Sequence, residues 1–171
     1  MCCSFTWVEQ TLHSYGVPVI FGDLFLESLG MPLPGETLLL LAGTLAAKGE
    51  LALVPLWLVA FAAAVLGDNA GYLIGRRLGR PAVLRHGARI GLTEARLARV
   101  EGVIHRHGML IVATARFVAV LRQLNGVAAG TAGMPWGRFI VANTIGAALW
   151  VSVWIGAAWW FGVDAHFLRW P

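Results

Sequence analysis

The chain has 171 residues, 58% of them hydrophobic and 13% charged, with eight Trp and a mean hydropathy of +0.71. Soluble domains average about 45–50% apolar and about 25% charged, so the composition argues against a soluble globular protein and for one integral membrane domain over residues 1–171. The formal net charge is +4, and its distribution along the chain carries more information than its size. Cys2 and Cys3 are adjacent and are the only cysteines. No disulfide framework or structural zinc is expected from them, nor a lipoprotein signal or cleavable leader, since no apolar run precedes them.

Residues 1–16 read as a short interfacial segment. Phe5, Val8 and Leu12 fall at helical spacing, which predicts an amphipathic helix lying on the membrane. Residues 17–47 form a broken segment built around FLESLGMPLPGETLLLLAGTLAA. It is almost wholly apolar, yet it carries Glu27 and Glu36, with Pro32, Pro34 and Gly35 between them. Proline removes a backbone donor and clashes with the preceding turn, so a helix stops there. Each arm is shorter than the roughly 20 residues a spanning helix needs. The segment either crosses once as a broken helix or goes in and comes back as a re-entrant hairpin; hydropathy does not separate the two.

Lys48–Glu50 is a polar turn, and residues 51–75 form a full span whose one ionisable side chain is Asp68. Residues 76–108 hold eight Arg against Glu94 and Glu101, a local net of +6. The positive-inside rule makes this a cytoplasmic loop. Topology and anionic headgroups explain its charge without nucleic acid. Within it Thr93 is placed to cap a helix over Glu94–His105. His86, His105 and His107 lie in the same loop without a Cys or carboxylate ligand pattern, so no metal is expected.

Residues 109–135, MLIVATARFVAVLRQLNGVAAGTAGM with its flanks, form a second broken segment bearing Arg116 and Arg122, with its break expected near Gln123–Gly126. Pro135 and Trp136 make an interfacial turn edged by Arg138, and the uncharged residues 139–163 are the second full span. Trp159 and Trp160 suit an interfacial belt.

The two halves echo each other. Gly43-Thr44 matches Gly130-Thr131 at an offset of 87 residues, which sets Glu36 against Gln123. GDNAGYLIG (67–75) and ANTIGAALW (142–150) share an Asx with a Gly three residues on. The common order, broken segment then span, suggests a duplicated unit. The basic loop between the units would invert the second relative to the first, as in many transporters. Both hairpins would then be re-entrant and Arg138 cytoplasmic; four full crossings, the rival topology, would put Arg138 outside.

Non-helical backbone at membrane depth survives only against protein or a water-filled cavity. Each charge at the bilayer centre costs roughly 2.5–3.5 kcal/mol on insertion scales. Glu27, Glu36, Arg116 and Arg122 must therefore pair, meet water or hold a ligand. Two ion pairs with no further role, or Arg snorkelling to the interface, are the plain alternatives. Guanidinium stays charged and grips phosphate with a planar fork, so Arg116 and Arg122 suit an anionic headgroup. A desolvated carboxylate exchanges protons readily, so Glu27 and Glu36 suit proton coupling. Glu36 also suits a cap on the second half-helix after Pro34-Gly35, and helix ends at the breaks add partial positive charge. For Asp68 a local hydrogen bond to a backbone turn is as good a reading as a part in transport. The glycines around it favour close helix packing over a phosphate loop. Asp68, Pro34, Gly35, Gln123 and Asn125 are supporting candidates.

At these residues the chain resembles the DedA family, the bacterial branch of the SNARE-associated or VTT-domain proteins. The matching stretches are FLESLGMPLPGETLLLLAGTLAAKGEL, GDNAGYLIGRRLGR and ARFVAVLRQLNGVAAGTAGMPWGRFIVANTIGAALW, covering roughly residues 15–160. The family's acids before the break and after Pro-Gly match Glu27 and Glu36, and its two arginines match Arg116 and Arg122. Val118-Ala119-Val120 departs from a pattern in which many members carry a proline. The resemblance implies an all-α protein of the bacterial cytoplasmic membrane with two facing re-entrant hairpins, each followed by a transmembrane helix. It also implies proton-linked translocation of undecaprenyl phosphate or a phospholipid, with Arg116 and Arg122 on phosphate. The runner-up is a proton-coupled antiporter or small-cation exporter. A membrane enzyme is not expected, for want of a nucleophile or metal set. The partners implied are anionic membrane lipids and protons, with no cofactor or nucleic acid and with a homo-oligomer left open.

Overall fold

The structure, a computed structural model, describes residues 16, 18–87 and 93–164. The expected interfacial helix, Cys2 and Cys3 lie outside the described residues, apart from Gly16. Among the described residues there is no strand. Helix α1 covers residues 18–29, followed by α2 (Gly35–Ala47), α3 (Leu53–Gly87), α4 (Glu94–His107), α5 (Met109–Thr114), a 3₁₀ turn (Ala115–Phe117), α6 (Ala119–Thr131) and α7 (Trp136–Asp164). Two stretches are long and apolar enough to cross a membrane, Leu53–Gly79 with 27 residues and Trp136–Phe161 with 26.

Helix ends follow the glycines. Gly30, Gly49 and Gly133 each take positive φ, at 121°, 78° and 74°. Each closes a helix with the paired backbone bonds of a Schellman cap: at the first, Gly30 N–H donates to Glu27 O and Met31 N–H to Leu26 O. The chain then runs unwound through Met31–Pro34 into α2, which starts at Gly35. The first span outruns its expected end at Gly75, because arginine is a good helix former. It bends only at Gly79, where φ is 71°.

Residues 76–87 and 94–107 of the basic stretch are helical. Thr93 does cap α4, accepting from Arg96 N–H at 3.3 Å, but the helix runs on to His107 and buries Leu97, Val100 and Ile104. They join Tyr72, Leu124, Val127 and Phe139 in one apolar cluster. A second cluster gathers Ile20, Leu24, Leu39, Leu56, Trp150 and Ile155.

The packing is crossed. Helix α2 lies on α7, where a Cβ on Gly43 would stand 2.5 Å from that of Ala158. Helix α6 lies on α3, where a Cβ on Gly126 or Gly130 would collide with the carbonyl of Asp68 or Tyr72. Gly71 and Gly75 lie in this contact against Val127 of α6, while Gly67 closes on the Phe25 carbonyl of α1, so the glycines serve close approach as expected. Each broken segment also starts beside its own end. Ile20 shares a small cavity with Leu51 and Leu56, and Met109 shares one with Ala132 and Met134. The half-helices α2 and α6 each have 13 residues. They begin 84 positions apart, at Gly35 and Ala119, so the Gly-Thr echo at 87 is about one helical turn out of register with them.

Candidate functional site

Five charged side chains meet between the two apolar clusters. Glu27 comes from the last turn of α1 and Glu36 from the first turn of α2. Asp68 comes from mid-α3, Arg116 from the 3₁₀ turn and Arg122 from the first turn of α6. Arg122 spends its fork on both glutamates: Nη2 donates to Glu27 Oε1 at 2.5 Å and Nη1 to Glu36 Oε1 at 2.6 Å. Its guanidinium carbon stands 5.0 Å from the Trp150 ring centroid, a cation–π contact. Glu27 and Arg122 are buried, whereas the Glu36 side chain is 39% exposed. Arg116 is fully buried, and its Nη2 donates to Asp68 Oδ2, to Asn143 Oδ1 at 2.9 Å and to the Ala64 carbonyl at 3.1 Å.

The break positions the first pair of acids. The unwound Met31–Pro34 turn lets Gly35 close against Glu27, and its N–H donates to that carboxylate. A Cβ at position 35 would collide with the same carboxylate, so Gly35 is there for approach as well as for turning. Pro34 makes no side-chain cap, and Glu36 reaches Arg122 rather than capping α2.

The second break falls earlier than expected. Residues Gln123–Gly126 are continuous helix, and the chain opens at Val118, with φ −120° and ψ 115°. The interruption thus lies between the arginines. It frees them from a single helical phase, and they turn to different acids instead of one shared ligand. Asp68 is likewise not a turn residue. It sits inside α3, and its partner lies 48 residues along the chain. Asn125 ties α6 to α5 through Val112 O at 3.1 Å, which makes it a clip within the second hairpin. The Gln123 carbonyl lies against Gly30, whose Cβ would stand 3.3 Å away, so the first break touches α6.

Three site residues escaped the sequence reading. Asn143 is the Asx of ANTIGAALW that the echo pairs with Asp68, and both hold Arg116. Trp150 carried no signal beyond its place on α7. Asp23 is half-buried one turn before Glu27, and the i, i+4 spacing would have shown it. Several polar atoms around the site are buried without a hydrogen-bond partner: Asp23 Oδ2, Asp68 Oδ1, Arg116 Nε, Arg122 Nε and Trp150 Nε1. Among the described residues no group of His, Cys, Asp and Glu is arranged to hold a metal.

Comparison with known proteins agrees with this architecture. The VTT domain model matches residues 33–159. An uncharacterised membrane protein of Synechocystis is 34% identical over 91% of this chain and 71% of its own length. Inner membrane protein YghB of Escherichia coli is 38% identical over 79% of this chain and 63% of its own. The uncharacterised membrane protein YbfM of Bacillus subtilis is 30% identical over 86% of this chain and 91% of its own. No solved structure matches the chain. An all-helical chain with two candidate spans, this family match and relatives named as membrane proteins is a membrane protein of the DedA family, carrying its VTT domain.

Proposed function

We propose that the protein translocates a lipid phosphate, an undecaprenyl phosphate or a phospholipid, across the bacterial cytoplasmic membrane, with protons entering the same site. The carrying observation is the Arg122 fork shared by two carboxylates. A fork of this kind fits phosphate, but both of its ends are taken, by Glu27 and Glu36. Phosphate can bind there only if a carboxylate lets go. Protonation removes the charge that holds it, and Glu36 is the acid open to the surroundings. Proton and anion therefore enter together, in keeping with three acids against two arginines. The unpartnered Arg122 Nε and Trp150 Nε1 leave further donors for phosphate oxygens.

Element lengths support two re-entrant hairpins of opposite orientation. Helices α2 and α6 have 13 residues each, about 20 Å at 1.5 Å per residue, against a hydrocarbon core of about 30 Å. Each segment starting beside its end, and the crossed packing of α2 on α7 and α6 on α3, fit an inverted repeat with its site at the midplane. Transport rather than catalysis is the reading, since each arginine is spent on a carboxylate and no group is poised as a nucleophile.

The test is the purified protein in liposomes holding a fluorescent lipid phosphate. The wild type is expected to move label between leaflets faster when the compartments differ in pH. Arg122→Ala abolishes this, and Arg122→Lys keeps less than about a tenth, because a point charge does not reproduce the fork. Cation flux without lipid movement would favour the antiporter reading and overturn this one.

A further inference from the structure

We infer that the chain carries a second lipid site, distinct from the buried charges, that holds the phosphate of an anionic phospholipid at the end of α7 where α4, α5 and α6 meet. A cavity of about 310 Å³ opens there. Its floor is apolar, from Ile104, Met109, Met134 and Pro135, and its rim carries His105 and Arg138. Arg76 joins them from α3: a Cβ on Gly133, in the cavity wall, would stand 3.4 Å from its Nη1. No Asp or Glu lines the cavity. Neither Arg76 nor Arg138 has an ion pair among the described residues.

The shape below the rim selects a lipid over a soluble anion. Arg138 heads a stripe of α7 at helical spacing, followed by Val141, Ile145 and Leu149, which are 50%, 52% and 54% exposed. Leu110, next to Met109 on α5, is 76% exposed. A phosphate at Arg138 would therefore have an acyl chain running along an open apolar strip of the same helix. Trp136 stands beside it, with its Nε1 bonded to Asn69 Oδ1 at 3.1 Å. It is an aromatic at the first residue of a candidate span, a position at which such rings commonly mark the headgroup level. Charge complementarity and this strip together commit the site to a phospholipid with a net negative headgroup.

This inference does not depend on translocation, and its experiment separates the two. Native mass spectrometry of the detergent-solubilised full chain would be titrated with phosphatidylglycerol or phosphatidylcholine of matched acyl chains. The wild type is expected to prefer phosphatidylglycerol. The double variant Arg76→Ala/Arg138→Ala should lower that preference about tenfold, and Arg138→Lys should keep most of it. In an Arg122→Ala background, which removes the fork proposed for translocation, the Arg76→Ala/Arg138→Ala pair should still lower the preference about tenfold. An equal preference in wild type and double variant would overturn the site. So would displacement of phosphatidylglycerol by millimolar inorganic phosphate, which would show a soluble-anion site instead.

Discussion

Arg116 shows what a buried charge demands. Its guanidinium is 1% exposed, and one terminal nitrogen serves a carboxylate, an amide and a helix carbonyl. Removing one partner of such a pair leaves the other charge stranded, at about 3–5 kcal/mol. Asp68→Ala should lose stability of that order in thermal unfolding in detergent. Asp68→Asn should lose about 1–3 kcal/mol, because the amide oxygen still accepts. Replacing both partners, as in Asp68→Leu/Arg116→Met, should recover most of the loss, since an apolar pair of similar size is often neutral or better. If the double variant also transports at the wild-type rate, this pair has no part in translocation. The charges themselves were legible from their residue types in apolar runs. Their pairing was not, because it joins positions 48, 86 and 95 residues apart that only the crossed packing brings together. Asn143 was half-visible, since the echo placed it opposite Asp68 before any contact was known.

Among the elements, the α3–α6 contact sets how tightly the site is held. Two backbones meet there with no side chain between them, so the consequence of a methyl group depends on its turn of helix. A Cβ on Gly130 would collide with the Tyr72 carbonyl, whereas one on Gly71 would meet Val127 Cγ2 at 3.4 Å, an ordinary contact. Gly130→Ala should therefore destabilise by about 1–3 kcal/mol through overpacking. Gly71→Ala should be neutral or gain up to about 1 kcal/mol from helix propensity. Both are read from unfolding midpoints in detergent, and equal losses would refute the close approach. Spans and breaks were readable in outline from hydropathy and from Pro32–Gly35. The second break was misplaced because it uses neither proline nor glycine. Val118 opens the helix with an ordinary extended backbone, which no residue preference announces. Within the basic stretch the Thr93-capped helix was legible, but its burial against the core was not, for a different reason. Its arginines are good helix formers, and the stripe of Leu97, Val100 and Ile104 that buries α4 was outweighed by its charge.

At the scale of the whole molecule the question is which way the chain runs through the bilayer, and lengths decide what is possible. The 6 residues of α5 reach about 9 Å, so α5 and α6 on either side of Val118 cannot both be crossings of a core of about 30 Å. Stretches Leu53–Gly79 and Trp136–Phe161 reach about 40 Å each and can. With only those two crossing, the Lys48–Glu50 turn and the start of α7 fall on opposite sides, and the positive-inside rule applied to the arginines after Gly75 predicts that the second of these is cytoplasmic. Lys48 and Gly137 are both exposed, and a Cβ on Gly137 meets nothing within 4 Å, so a cysteine at either position should fold without strain. In chains with Cys2 and Cys3 replaced by serine, a membrane-impermeant maleimide added to intact cells should label Lys48→Cys. It should reach Gly137→Cys only after the cells are broken. Four crossings would expose Gly137→Cys to the outside reagent and carry Arg138 out with it. The two broken segments would then both run through from the cytoplasmic face, and the proposed inverted repeat, in which Arg122 approaches Glu27 and Glu36 from the opposite leaflet, would be lost.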